Sequence, residues 1–178
     1  MSEYHVTLYE PHTIHHTALL GDGTVVYAYT TIGEGVEIGK DCLIGACVFL
    51  PRHCRIGNGT RIHHGAALAE GSIVGNQVYI GIHVVFTDVK YVNLRHKGQE
   101  DHRPPVVEDD AVIGCNAVLL PGVVVHRGAV VGAGSVVTRD IGPGVVVAGN
   151  PARPLRTSTR KLVLMPEPID ADGTSVVR

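Results

Sequence analysis

Stepping along the chain by six from Leu8 lands on Leu8, Ile14, Leu20, Val26, Ile32, Ile38, Ile44, Leu50, Ile56, Ile62, Leu68, Val74, Ile80 and Phe86, all of them apolar. With 44% hydrophobic residues overall, so long an unbroken run arises by chance on the order of one time in a hundred thousand. Four places after each comes a small or β-branched residue, such as Thr24, Val36, Cys42, Thr60 and Ser72, with His12 the early exception. Glycine often follows the apolar position directly, as in Ile38-Gly39 and Ile56-Gly57, where it is expected to permit a tight bend. A strand alternates with period two and a helix every third or fourth residue, so a period of six fits neither. It predicts a solenoid of short flat strands that turn at regular corners.

The frame resumes at Val107, Ile113, Leu119, Val125, Val131 and Val137. From Phe86 to Val107 is 21 residues, which is not a multiple of six, so a segment without the repeat is inserted. Residues 87–106 carry seven charges, Asp88, Lys90, Arg95, Lys97, Glu100, Asp101 and Arg103, and are expected to form an exposed loop with a functional role. The solenoid domain is expected to span residues 1–156, and residues 157–178 to form a C-terminal tail without repeat.

Composition agrees with a β solenoid. The 178 residues include 28 valines and 22 glycines but no tryptophan and only eight Tyr plus Phe, so burial has to come from many small β-branched side chains. A net charge of −2 supplies no positive field for a polyphosphate backbone, which argues against nucleic acid as a partner. No apolar run is long enough to cross a bilayer, and the first twenty residues lack the pattern of a signal peptide; a cytoplasmic location is expected. Cys42, Cys47, Cys54 and Cys115 form no CxxC pair, so reduced thiols and no metal are expected.

These repeats resemble the hexapeptide-repeat family, whose signature is an aliphatic residue, often Gly, and a small residue four places on. The resemblance implies an all-β fold: a left-handed parallel β-helix with three hexapeptides per triangular coil and about seven coils. The run Val137-Thr138-Arg139-Asp140 followed by Gly149-Asn150-Pro151-Ala152-Arg153 is similar to the closing segment of the coenzyme A-dependent acyltransferases of that family. Val85-Phe86-Thr87-Asp88, with Arg95 in the following loop, resembles the N-acetyltransferases acting on nucleotide-linked amino sugars. What this implies is transfer of acetyl from acetyl-CoA to a sugar amine, by a homotrimer with sites between neighbouring prisms.

Positions 18 apart should lie above one another, which makes His64 and His83 neighbours on successive coils beside Gly65. An imidazole near neutrality can take a proton from an amine. His64, two places after Ile62, resembles the catalytic base of several sugar and lipid-A acyltransferases, and the resemblance implies that role. His16 has the same place in its own hexapeptide but on another face. Lys90 stands where a further subgroup has its histidine. His63, His83, Asp88 and Arg95 are expected to bind the sugar substrate. Matching the family's pattern gives Cys115, Ala133, Thr138, Arg153 and Arg156 as the coenzyme A contacts, with arginines suited to phosphate. Two other readings share the fold: a γ-type carbonic anhydrase-like zinc protein, whose two histidines five residues apart have no counterpart here, and a non-catalytic trimeric scaffold.

Overall fold

A computed structural model describes residues 5–90 and 102–157. The strands are two residues long almost throughout, and no helix occurs among the described residues. Each strand pairs in parallel with the one a coil away: Arg61–Ile62 pairs with Leu43–Ile44 on one side and with Tyr79–Ile80 on the other, 18 residues in each direction. The result is a β-solenoid of about seven turns.

Three faces follow from this register. The first stacks Thr7–Leu8, Val25–Val26, Leu43–Ile44, Arg61–Ile62, Tyr79–Ile80, Val112–Ile113, Val130–Val131 and Val145–Ala148, closed by antiparallel Arg153–Thr157. The second runs from Leu19–Leu20 to Val124–Val125. The third holds Thr13–Ile14, Thr31–Ile32 and Phe49–Leu50, then Val85–Phe86, Val118–Leu119 and Val136–Val137, with Ala67 bridging Phe49 to Val85.

In each two-residue strand from Val25–Val26 onward the second side chain is buried, because successive residues of a strand face opposite ways. Hence Ile32, Ile44, Leu50, Ile62, Ile80 and Leu119 are 0–1% exposed, and burying such a side chain stabilises the fold by about 1.5–3 kcal/mol. The small residue four places on lies inside the next corner, where only small side chains fit. Where it is polar it is hydrogen-bonded: Thr24, Thr30 and Thr60 hydroxyls donate to the carbonyls of Gly39, Gly45 and Gly75 at 2.7–2.8 Å.

The glycine after the aliphatic residue serves a different purpose from the bend expected of it. The left-handed backbone falls two residues later, at Gly65 (φ 67°) and equally at His83 (φ 55°) and Cys47 (φ 58°). Gly57 is required by close approach instead: a Cβ there would stand 2.5 Å from the carbonyl carbon of Gly75. The insertion is also defined by register. Ile73 pairs with Val106, 33 residues on, which is one 18-residue coil plus 15 extra residues, and the stack continues in frame beyond it. No helix in the described residues is long and apolar enough to cross a membrane.

Candidate functional site

The corner between the first and third faces collects most of the chemistry. After each first-face strand the chain turns through three residues: Tyr27-Ala28-Tyr29, Gly45-Ala46-Cys47, His63-His64-Gly65, Gly81-Ile82-His83, Gly114-Cys115-Asn116 and Gly132-Ala133-Gly134. The middle residues therefore form one edge in the order Ala28, Ala46, His64, Ile82, Cys115, Ala133. At about 4.8 Å per coil, His64 and Ala133 are about 14 Å apart along it. The edge ends at Ala148, whose strand partner is Arg153. His64, Cys115, Ala133 and Arg153 thus share one edge, with an exposed cation at its end.

His64 is exposed, and its Nδ1 accepts the backbone N–H of Ala46 at 3.0 Å. Its ring meets Tyr27 edge-on at 6.4 Å and His63 at 6.1 Å. His63 lies against Tyr79 with ring centroids 4.8 Å apart, and its Nε2 is buried without a hydrogen-bond partner. Burial first, then the neighbouring His64 and Arg61, hold the His63 imidazole below its ordinary value, because each disfavours the charged ring. Burial also pushes the Tyr79 phenol up, with Cys115 adding to the effect. His83 packs over Gly65: a Cβ on that glycine would come within 2.4 Å of the His83 Nδ1. The N–H of His83 donates to the carbonyl of His64 at 3.0 Å, which fixes the two coils relative to each other.

Asp88 is not at this edge. The chain leaves His83, crosses the third face as Val85–Phe86 and reaches Asp88 at the next corner, where its Oδ2 lies 3.2 Å from His102 Nδ1. Thr138 follows Val136–Val137 on the same face and is exposed at that same corner. Within one chain, then, Asp88 and Thr138 stand a full face away from His64 and Ala133. Arg95 lies outside the described residues, and of Arg156 only the backbone is described, paired with Val146.

The packing of aromatic rings around these histidines was not read from the sequence. Tyr9 and Tyr27 stack at 5.0 Å and 9°, and Tyr79 covers His63. The usable signal was the 18-residue column Tyr9, Tyr27, Gly45, His63. No sequence signal marks the Asp88–His102 pair, whose partners are 14 residues apart across the insertion.

Comparison with known proteins fits this architecture. A family profile described as bacterial transferase hexapeptide (six repeats) matches residues 17–52 and 104–139. The chain is 37% identical over 86 residues to a Schizosaccharomyces pombe protein named as an acetyltransferase, covering 47% of this chain and 42% of that one. It is 52% identical over 58 residues to the 2,3,4,5-tetrahydropyridine-2,6-dicarboxylate N-acetyltransferase of Clostridium perfringens, covering 33% of this chain and 25% of that one. The matched segments thus span less than half the length of these curated relatives. Among solved structures, LpxA of Bacteroides fragilis, a UDP-N-acetylglucosamine acyltransferase, superposes with a TM-score of 0.72 at 17% identity, over 85% of this chain and 61% of that one. Repeat, profile and solenoid coincide on the same residues, and residues 17–52 and 104–139 carry the bacterial transferase hexapeptide repeat.

Proposed function

We propose that the protein is an acyl-CoA-dependent N-acyltransferase, carrying acetyl from acetyl-CoA to the amine of a nucleotide-linked amino sugar. The observation that carries this reading is the edge on which His64, Cys115, Ala133 and Arg153 lie in line. A long thioester with phosphates at one end suits such a line: Arg153 and Arg156 for the phosphates, the corner at Cys115 and Ala133 for the flexible arm, and His64 where the thioester meets the amine. Two relatives named as acetyltransferases support the reaction class.

His63 and His83 flank His64 and would contact the sugar. Asp88 and Thr138 would complete the site from a neighbouring copy, since they occupy the other end of the third face, and Arg95, which lies outside the described residues, is proposed to join them. That face offers a surface for the purpose: its outward row is Thr31, Phe49 (47% exposed), Ala67, Val85 (37% exposed), Val118 and Val136. The row carries no charge, and a cyclic homotrimer would bury it and form three equal sites.

The test is a thermal-shift screen over coenzyme A esters and amino-sugar nucleotides. A ligand at a hundred times its Kd stabilises the fold by about 2.7 kcal/mol, enough for a clear rise in Tm. Acetyl-CoA should give that rise, and absence of a shift with every coenzyme A ester would overturn the reading.

A further inference from the structure

The central residue of a corner is a hydrogen-bond acceptor in several coils of this solenoid. At the corner between the second and first faces, Asn58 Oδ1 accepts the Lys40 N–H at 2.8 Å, Asn76 Oδ1 accepts the Asn58 N–H at 2.9 Å, and Asp109 Oδ1 accepts the Asn76 N–H at 2.8 Å. His64 fills the equivalent slot at its own corner, where Nδ1 accepts the Ala46 N–H at 3.0 Å. In all four the acceptor is the first atom beyond Cγ, so an imidazole Nδ1 reaches the place an Asn or Asp Oδ1 reaches.

This geometry fixes the tautomer. A backbone N–H can only donate, so Nδ1 must hold a lone pair, and the neutral ring carries its proton on Nε2. The nitrogen left facing solvent is then a donor. A base acting through Nε2 would need the proton moved to Nδ1, where it would confront the Ala46 N–H, donor against donor.

We infer that His64 acts in the acyltransferase reaction as a hydrogen-bond donor to the acyl oxygen, and not as the base that takes the amine proton. The inference rests on the proposed acyltransferase reading. The acceptor amine, arriving neutral, adds its lone pair to the thioester carbon, and the C=O π pair moves onto oxygen. The growing oxyanion accepts the Nε2–H of His64, the interaction that does most for acyl transfer when the donor is already in place. Collapse re-forms C=O and breaks the C–S bond, whose electron pair leaves on sulfur. The extra proton on nitrogen passes to that thiolate, giving free coenzyme A thiol and a neutral amide. His64 ends as it began.

Two experiments decide it. Ring-nitrogen NMR of the 15N-histidine protein at pH 8 should show His64 with an unprotonated Nδ1 and a protonated Nε2; the opposite neutral tautomer would overturn the inference whether or not turnover has been detected. For turnover, His64→Asn keeps an acceptor for Ala46 and an amide N–H, His64→Gln keeps an N–H at the bond distance of Nε2, and neither can serve as a base. At least one should retain kcat within about tenfold of wild type while His64→Ala loses about 10²- to 10³-fold, the range for one lost oxyanion donor. If both amides fall as far as Ala, or if Ala keeps wild-type kcat, the donor role is wrong. If the wild-type protein transfers acetyl to no amine, the acyltransferase reading fails, a result distinct from the wrong tautomer.

Discussion

Replacing Ile62 by Ala probes how the solenoid holds the histidine pair in position. Ile62 is fully buried, and its strand is paired on one side with Leu43–Ile44 and on the other with Tyr79–Ile80. The change removes three carbons, about 2.4 kcal/mol at about 0.8 kcal/mol each. The cavity adds to this, because backbone pairing on both sides holds Ile44 and Ile80 where they are, so a total of about 3–4 kcal/mol is expected. Ile73→Ala is the matched control: it removes the same carbons from a side chain that is 44% exposed on the outer surface, and about 1 kcal/mol is expected. Urea denaturation followed by circular dichroism measures both. In a linear stack of repeats a defect in the middle also weakens coupling between the two halves, so the Ile62 variant should unfold with a lower m-value. Equal losses for the two variants would refute the assignment of inward and outward positions, and with it the placement of His63 and His64 on the outer corner.

Three further outcomes follow from the same structure. Gly57→Ala should cost at least about 2 kcal/mol, since its Cβ would meet backbone of the next coil at 2.5 Å, whereas Gly128→Ala, with nothing within 4 Å, should cost about 1 kcal/mol through its left-handed φ alone; Tm scans compare them. Because the folded state holds the His63 pKa below its unfolded value, protonation favours unfolding, so the stability it contributes is present above the unfolded pKa and lost as pH falls through it. His63→Asn should therefore show a shallower fall of Tm between pH 7.5 and 5.5 than wild type, and an unchanged slope would contradict the burial of that ring. Under N-ethylmaleimide, acetyl-CoA should protect half-buried Cys115 while exposed Cys47 still reacts, and Cys54, whose thiol burial pushes up to about 11, should resist labelling with or without it; peptide mass spectrometry reads all three.

The fold was legible because a prism core selects one residue type at one spacing. Ile44, Ile62 and Ile80 repeat every 18 residues, and the structure stacks them in that order. The same arithmetic located His64 beside His83, whereas Cys115 and Ala133 were assigned by resemblance, and it is the register of the structure, with its 15 extra residues, that puts them on the His64 edge. It did not reveal the left-handed corner positions, because Tyr29, Cys47 and His83 occupy them as readily as glycine. The bond from Ala46 to His64 was hidden for another reason: it depends on which ring nitrogen turns toward the backbone, and that direction leaves no trace in residue spacing. Asp88 was grouped with the histidines by resemblance, although one chain places them at different corners of the prism.

The central claim is tested most directly by following the acyl carbon itself. Purified protein is mixed with acetyl-CoA labelled with 13C at the carbonyl and with an amino-sugar nucleotide, and carbon NMR follows the label with time. The account predicts that the thioester signal is replaced by an amide signal, with one free thiol released per amide formed and no amide without the protein. Persistence of the thioester across a panel of amino-sugar nucleotides, or its conversion to free acetate alone, would contradict it.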